Sequence, residues 1–208
     1  MRSSRAGCTF KIMPDSTRQI ILASESKQRK AILDTLHLSY LQVPAKIDES
    51  AITAKSEEER CELIARHKAE TVAKDYPSGI VIAADTFSVL DGWAFEKPAN
   101  NKEAKKMLKA LSGKTSVTCT GFCYLDRLKA IDESMTIVTE FTFRQLSDQE
   151  IDKYIAHNPV TTWSAAFSPA YDSGIALIAA MNGPVTSFTH GLPLEKVVHY
   201  LKKSGLAV

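Results

Sequence analysis

At 208 residues, 44% of them apolar and 24% charged, the chain has an ordinary globular composition and is long enough for one large domain or two small ones. Its 26 basic and 24 acidic residues leave a net charge of +2, which supplies no bulk field for nucleic acid or membrane binding, so any anion site must be local. No run approaches the roughly 18 apolar residues of a membrane span.

Residues 1–18 are basic, carry no acid before Asp15 and lack the apolar middle of a secretory signal. They read as an N-terminal extension, expected to be disordered, with a transit peptide or an over-long start as alternatives; residues 19–208 read as a single domain. Gln19–Ala23 has the pattern of a short buried strand that ends in the polar cluster Ser24-Glu25-Ser26. A helix follows, with Ala31 or Ile32, Leu33 and Leu36 facing inward and Arg29 and Lys30 in its first turns. Such a junction can offer backbone N–H groups and a cation to an anion. On residue types alone, Lys27, Arg29 and Lys30 equally suit a solvated helix face.

Tyr40–Val43 reads as a second strand, and Lys46–Ser50 as a polar loop. Ser56-Glu57-Glu58-Glu59 is a capping box that opens a helix over Glu57–Lys74. One stripe of that helix carries Cys61, Ile64, Ala65, Lys68 and Val72, and its odd member, Lys68, either snorkels to water or points into a charged cleft. The centre of the chain is Ile80–Lys97. Five apolar residues, Ile80–Ala84, predict a strand buried on both faces and ending at Asp85. The Asp91-Gly92 turn predicts a hairpin between Phe87–Leu90 and Trp93–Phe95 that brings Lys97 back toward Asp85. An acid and a base then face one space; the plainer reading has Asp85 capping a turn and Lys97 solvated.

Asn100-Asn101 caps a helix whose apolar row is Ala104, Met107, Leu108 and Leu111, stopped by Ser112-Gly113. Thr115–Leu125 and Ile131–Arg144 predict a long hairpin joined through Asp126–Lys129. Ser147–Glu150 is a second capping box, opening a helix over Asp148–His157. A strand at Ile175–Ala180, a turn at Asn182-Gly183-Pro184 and a helix at Pro193–Lys203 complete the chain. The order predicts an α/β fold with a mixed sheet, in two lobes with a cleft near Gly113–Thr120. Trp93, Phe95 and Trp163 are either core aromatics or candidates for a lid or dimer contact. The four cysteines, Cys8, Cys61, Cys119 and Cys123, show neither a Cys-x-x-Cys pair nor zinc-finger spacing. They read as reduced thiols, hence a cytoplasmic protein. The five histidines form no i, i+4 pair, which argues against zinc.

Several short motifs stand in a fixed order: Leu22-Ala23-Ser24-Glu25-Ser26-Lys27-Gln28-Arg29, Asp48-Glu49, Arg66-His67-Lys68-Ala69, Ala83-Ala84-Asp85-Thr86, Glu96-Lys97-Pro98, Met107–Gly113, Thr120-Gly121, Phe143–Tyr154 and Gly191–Leu194. Together they resemble the Maf family of nucleoside triphosphate pyrophosphatases over Gln19–Leu201. The resemblance implies a strongly twisted sheet, hydrolysis of a nucleoside triphosphate to monophosphate and pyrophosphate, a divalent cation (Mg²⁺, Mn²⁺ or Co²⁺) and a homodimer. It makes Asp85 the general base, with Lys68, Lys97 and Arg29 neutralising phosphate charge, and it makes Glu49 and Asp85 the metal ligands. Ser24 would seat a phosphate, and Gln28, Thr86 and Tyr171 would contact substrate.

Three departures bear on activity. Glu96 stands where the family has Gly, and Lys27-Gln28 replace the Pro-Arg or Pro-Trp-Arg before Arg29. The family's late Ala-Gly-Ala-Tyr-Gly-Ile-Gln-Gly motif is poorly matched by Ser164–Gly174, which lacks the glutamine. That region and Phe143–Tyr154 resemble the branch acting on 7-methyl-GTP, whereas Thr86 is the residue of the dTTP/UTP branch. A weakly active, nucleotide-binding member is the alternative to an active enzyme.

Overall fold

Ile80–Leu90 carries branched or small apolar side chains at seven of its eleven positions, and in the computed structural model, which describes residues 18–171 and 173–208, it is the central strand β3. Residues 1–17, most of the expected extension, lie outside the described residues. The sheet has the order β2-β1-β3-β5-β6-β7, with β4 added to the far end of β3. Its strands are β1 (Ile20–Leu22), β2 (Tyr40–Gln42), β3, β4 (Trp93–Phe95), β5 (Thr115–Asp126), β6 (Ile131–Phe143) and β7 (Ile178–Asn182). β1 runs parallel to β2 and β3, and the remaining pairs are antiparallel, so the mixed sheet expected from the sequence is present.

Alternate residues of β3 serve opposite faces. Val81 and Ala83 pack against Ala65, Ala69 and Val72 of α2 (Glu57–Ala73), while Ile80, Ile82 and Ala84 pack with Leu33 of α1 (Lys27–Asp34) and Val197 and Leu201 of α6 (Leu194–Lys203). A separate core joins α3 (Asn101–Leu111), α4 (Asp148–His157) and Phe188 of α5 (Val185–His190) to Leu90, Phe141 and Phe143 at the other ends of the long strands. The two cores therefore share β3 and β6. No break occurs at Gly113–Thr120: the hairpin continues through it as one strand from Thr115.

Asp85 does not end a strand. The ladder from β1 stops at Leu22–Ile82, with one further bond from the Ala23 N–H to the Ile82 carbonyl, and β4 pairs only from Ser88 to Leu90. Ala84–Phe87 thus have a ladder neighbour on the β5 side alone. Asp85 and Thr86, adjacent and pointing to opposite faces, sit in this open stretch, where both faces of the sheet can serve one cleft.

The packing distance of α2 is set across from Asp85. Gly121 of β5 is its register partner, and a Cβ on Gly121 would stand 2.0 Å from the Cys61 carbonyl oxygen. The Cys61 thiol fills the junction, accepting from the Gly121 N–H at 2.8 Å, with its one proton shared between the carbonyls of Asp85 and Cys119, each 3.2 Å away. Lys68 lies two turns further along the same face of α2.

Local signals explain most boundaries. Ser56 accepts from the Glu59 N–H, but Glu59 reaches back to Lys55 N rather than to the cap itself; Ser147 and Glu150 form the complete box. The expected strand at Ile175–Ala180 begins instead with a 3₁₀ turn over Gly174–Leu177, and pairing starts at Ile178. α5 was not anticipated: six residues are too few to show a helical period. Trp163 is core, Phe95 is half-buried and Trp93 is 78% exposed at the hairpin. Cys61, Cys119 and Cys123 are free and buried, and Cys8 lies outside the described residues. Among the described residues, no helix is long and apolar enough to cross a membrane.

The expected connector residue Asp126 is wholly buried. It accepts from Arg18, from the Ser204 hydroxyl at 2.6 Å and from the Lys129 N–H at 3.1 Å, fastening the start of the domain and the end of α6 to the central hairpin. Desolvation alone would raise its pKa, but the hydrogen bonds from Arg18, Ser204 and Lys129 reverse this and hold the carboxyl below its usual value.

Two outcomes follow. Gly121→Ala should lower unfolding free energy by about 1–3 kcal/mol in urea titrations, because the helix must move off the sheet; a neutral effect would show that the approach is slack. For Asp126 the sign is that of a depressed acid: its stabilisation is complete above the unfolded pKa of about 3.9 and is lost as pH falls through the lower folded value. Asp126→Asn should lower the urea midpoint at neutral pH and flatten the loss of stability below about pH 4; an unchanged acid limb would remove Asp126 as its source.

Candidate functional site

The stripe on α2 carries Lys68 to the sheet beside Asp85. Lys68 is 8% exposed, so it does not snorkel: its Nζ stands 2.7 Å from Asp85 Oδ1 and 2.8 Å from Glu49 Oε1. Asp85 is as buried as its partner, whereas the Glu49 side chain is 48% exposed. Glu49 belongs to a 3₁₀ turn, Glu49–Ala51, that Asp48 caps through the Ser50 N–H. One ammonium thus bridges two carboxylates from separate segments. Asp85 Oδ2 has no hydrogen-bond partner among the described residues.

On the other face of β3 the cluster is built around Arg29. Ser26 caps α1 by accepting from the Arg29 N–H, which starts the helix directly after the β1 loop. All three guanidinium nitrogens are engaged: Nε donates to the Gly191 carbonyl at 2.9 Å, Nη1 to Ser24 Oγ at 3.0 Å and Nη2 to Thr86 Oγ1 at 3.2 Å. Burial lowers the Arg29 pKa, and the nearby carboxylates of Asp85 and Glu49 oppose that shift. Ser24 Oγ accepts from both Arg29 and the Ser26 N–H at 3.2 Å, so its own proton is left to donate outward. Burial, then the Asp85 charge, pushes the Cys61 thiol far up, which makes it packing rather than a nucleophile.

The structure brings together Ser24, Arg29, Glu49, Lys68, Asp85 and Thr86. Thr86 acts there as scaffold, because its hydroxyl also contacts Thr120 Oγ1 and the Gly191 carbonyl, both at 3.3 Å. Gln28 is half-buried next to the cluster and accepts from the Ser26 hydroxyl at 3.1 Å. Lys97 is not in contact with Asp85. It follows β4, is exposed, and makes no hydrogen bond or ion pair among the described residues. Tyr171 stands apart as well, stacked on Trp163 with centroids 6.3 Å apart in the α3–α4 lobe. The Glu96 carboxylate turns away to Arg60 of α2 at 3.7 Å.

Sequence reasoning missed Gly191. It closes α5 at φ +64°, and a Cβ there would lie 2.7 Å from Thr86 Oγ1, so glycine is needed both for the turn and for the approach of Thr86. Its Gly-Leu-Pro-Leu context marked a motif, and a glycine before proline marks a helix stop, but neither revealed a carbonyl aimed at an arginine. Among the described residues, no group of three or more His, Cys, Asp or Glu side chains could hold a metal ion.

The chain is similar to known proteins over nearly its whole described length. The chain is 34% identical over 184 residues to a dTTP/UTP pyrophosphatase of Syntrophomonas wolfei, covering 88% of this chain and 96% of that one. It is also 34% identical over 193 residues to a 7-methyl-GTP pyrophosphatase of Idiomarina loihiensis, covering 91% and 96%. Among solved structures, a HAM1 protein from Coxiella burnetii superposes with a TM-score of 0.49 at 17% identity, covering 89% of this chain and 99% of that one. Residues 19–204 match the Maf-like protein family, and with that match spanning nearly every described residue, the chain belongs to that family.

Proposed function

We propose that this protein hydrolyses a nucleoside triphosphate to the monophosphate and pyrophosphate in the opening beside Ala84–Phe87. The observation that carries the reading is the pairing of a buried, lysine-held carboxylate with an arginine-locked serine on the two faces of one free strand edge. Relatives of both printed names support a triphosphate as substrate and stand at equal identity, so the base is left to experiment.

In this reading Asp85 is the general base. Lys68 fixes Oδ1, and Oδ2 takes the proton of the attacking water. Ser24 donates its hydroxyl proton to a phosphate oxygen, and Arg29 holds that hydroxyl in orientation while adding positive charge. Lys68 and the exposed Lys97 meet the charge that builds on the phosphates. Gln28 borders the same opening and is a base contact in this reading; Tyr171, stacked on Trp163, requires no place in it.

The donor set suits a divalent cation that arrives with the nucleotide. Two carboxylates, Glu49 and Asp85, face one point, and Mg²⁺ is ordinarily held by one or two carboxylates together with phosphate oxygens and water. When bound, it supplies charge neutralisation on the triphosphate. Free, buried thiols favour the reducing cytoplasmic setting, and the exposed Trp93 is the surface aromatic through which a homodimer would form.

The test is Mg²⁺-dependent pyrophosphate release from a panel of ordinary, deaminated and methylated triphosphates that includes dTTP, UTP and 7-methyl-GTP. Asp85→Asn should lower kcat about 10²- to 10⁴-fold while nucleotide binding persists. Turnover confined to one base class assigns the substrate. Binding without turnover by the wild type makes the chain a nucleotide-binding member of its family instead.

A further inference from the structure

The resting site is already charge-balanced. Glu49 and Asp85 contribute two negative charges, and Lys68 and Arg29 two positive ones, with the Lys68 ammonium in direct contact with both carboxylates. A bare divalent cation entering between those carboxylates must displace the lysine or share their charge with it at close range. Either course is unfavourable where Lys68 and Asp85 are both nearly sealed from water and screening is weak. A cation already carried on a triphosphate changes the balance: the polyphosphate brings more negative charge than the ion brings positive, and it offers the displaced ammonium a new partner.

The two salt bridges are unequal in a way that suits such an exchange. The Lys68–Asp85 contact joins two buried side chains, one on α2 and one on β3, whose separation is fixed by the approach of Cys61 to Gly121. The Lys68–Glu49 contact ends on a half-exposed carboxylate carried by a single 3₁₀ turn. Glu49 is therefore the partner that can be released while Asp85 stays in place.

We propose that Lys68 is a built-in counter-ion that holds Glu49 and Asp85 in the nucleotide-free protein, so that divalent cation binds only together with nucleotide. The proposal rests on the pyrophosphatase reading above and adds an order to it: the metal–nucleotide complex binds as a unit, and Lys68 exchanges Glu49 for phosphate oxygens. Bare metal then neither loads the resting site nor inhibits it.

The experiment uses the full-length protein and Mn²⁺, whose free form is followed by electron paramagnetic resonance. Wild type should take up Mn²⁺ weakly alone and tightly with a non-hydrolysable α,β-methylene triphosphate. Lys68→Met should raise the affinity for Mn²⁺ without nucleotide roughly tenfold or more, since a positive charge is removed from contact with both carboxylates. Glu49→Gln added to Lys68→Met should reverse that gain. Wild type that binds Mn²⁺ equally well with and without the analogue overturns the proposal, as does a Lys68→Met protein with unchanged nucleotide-free affinity. If Lys68→Met does not fold, the wild-type comparison decides alone. Pyrophosphate release by the same wild-type preparation separates the two readings. Turnover with tight binding of bare Mn²⁺ removes the counter-ion and keeps the enzyme. No turnover with the metal pattern intact removes the enzyme and supports the counter-ion.

Discussion

The pairing of Lys68 with Asp85 depends on how closely α2 lies on the sheet. Its approach is limited by backbone, not by side chains: the carbonyl of Cys61 occupies the space where any residue but glycine at 121 would place a Cβ. Because Gly121 is the register partner of Asp85, the tightest point of the packing lies next to the site carboxylate. Seven residues after Cys61, two helical turns along the same face, Lys68 arrives within hydrogen-bond reach of Asp85. A looser contact would separate a buried ammonium from a buried carboxylate, and breaking such a pair by removing one partner costs about 3–5 kcal/mol. Helix packing and site geometry are thus one constraint.

The sheet contributes the complementary feature, an opening. A strand with neighbours on both sides cannot bring its two faces to one ligand, but β3 loses β1 after Ile82 and gains β4 only at Ser88. Within that interval the α2 face presents Asp85 and Lys68, and the opposite face presents Thr86, with Ser24 from the turn that follows β1 and Arg29 from the first turn of α1. Gly191 closes the far side, its carbonyl taking the Arg29 Nε. The parallel β1–β3 pair places the start of α1 beside this opening, as strand-to-helix turns do at the carboxyl ends of parallel strands.

This division explains what could be read from the residues and what could not. The α2 stripe was legible because burial imposes a 3.6-residue period, and Lys68 stood out as the one charge on it. β3 was legible as a buried strand, and the motifs single out Asp85, Ser24 and Arg29, which the fold gathers beside one opening. Burial along one segment does not report its neighbours, however, so Asp85 read as a strand end when it is the middle of an eleven-residue strand with one open edge. Asp126 likewise reads as the start of a polar connector, Asp126–Lys129, while its partners Arg18 and Ser204 lie 108 and 78 residues away. The carbonyl of Gly191 left no trace in side-chain pattern at all. Tyr171 read as a site residue through a motif that this chain matches poorly, and its ring went to the α3–α4 core instead.

The replacement of glycine by Glu96 shows how geometry alters the meaning of a charge. Beside Lys97 in sequence, a carboxylate suggests repulsion of a phosphate. In the folded chain the Glu96 side chain reaches Arg60, which also donates to the Ile52 carbonyl at 3.1 Å, pairs with Glu57 and lies over the Phe87 ring at 5.7 Å. Arg60 therefore touches the segment after Glu49, the strand two residues beyond Asp85 and the loop that carries Lys97. With Glu96 73% exposed, the ion pair adds only about 0–1 kcal/mol. Its effect lies in direction: the negative charge is drawn toward α2 and met by a cation, while Lys97, on the other side of the same peptide, is left with its ammonium unpaired among the described residues and available to an incoming anion.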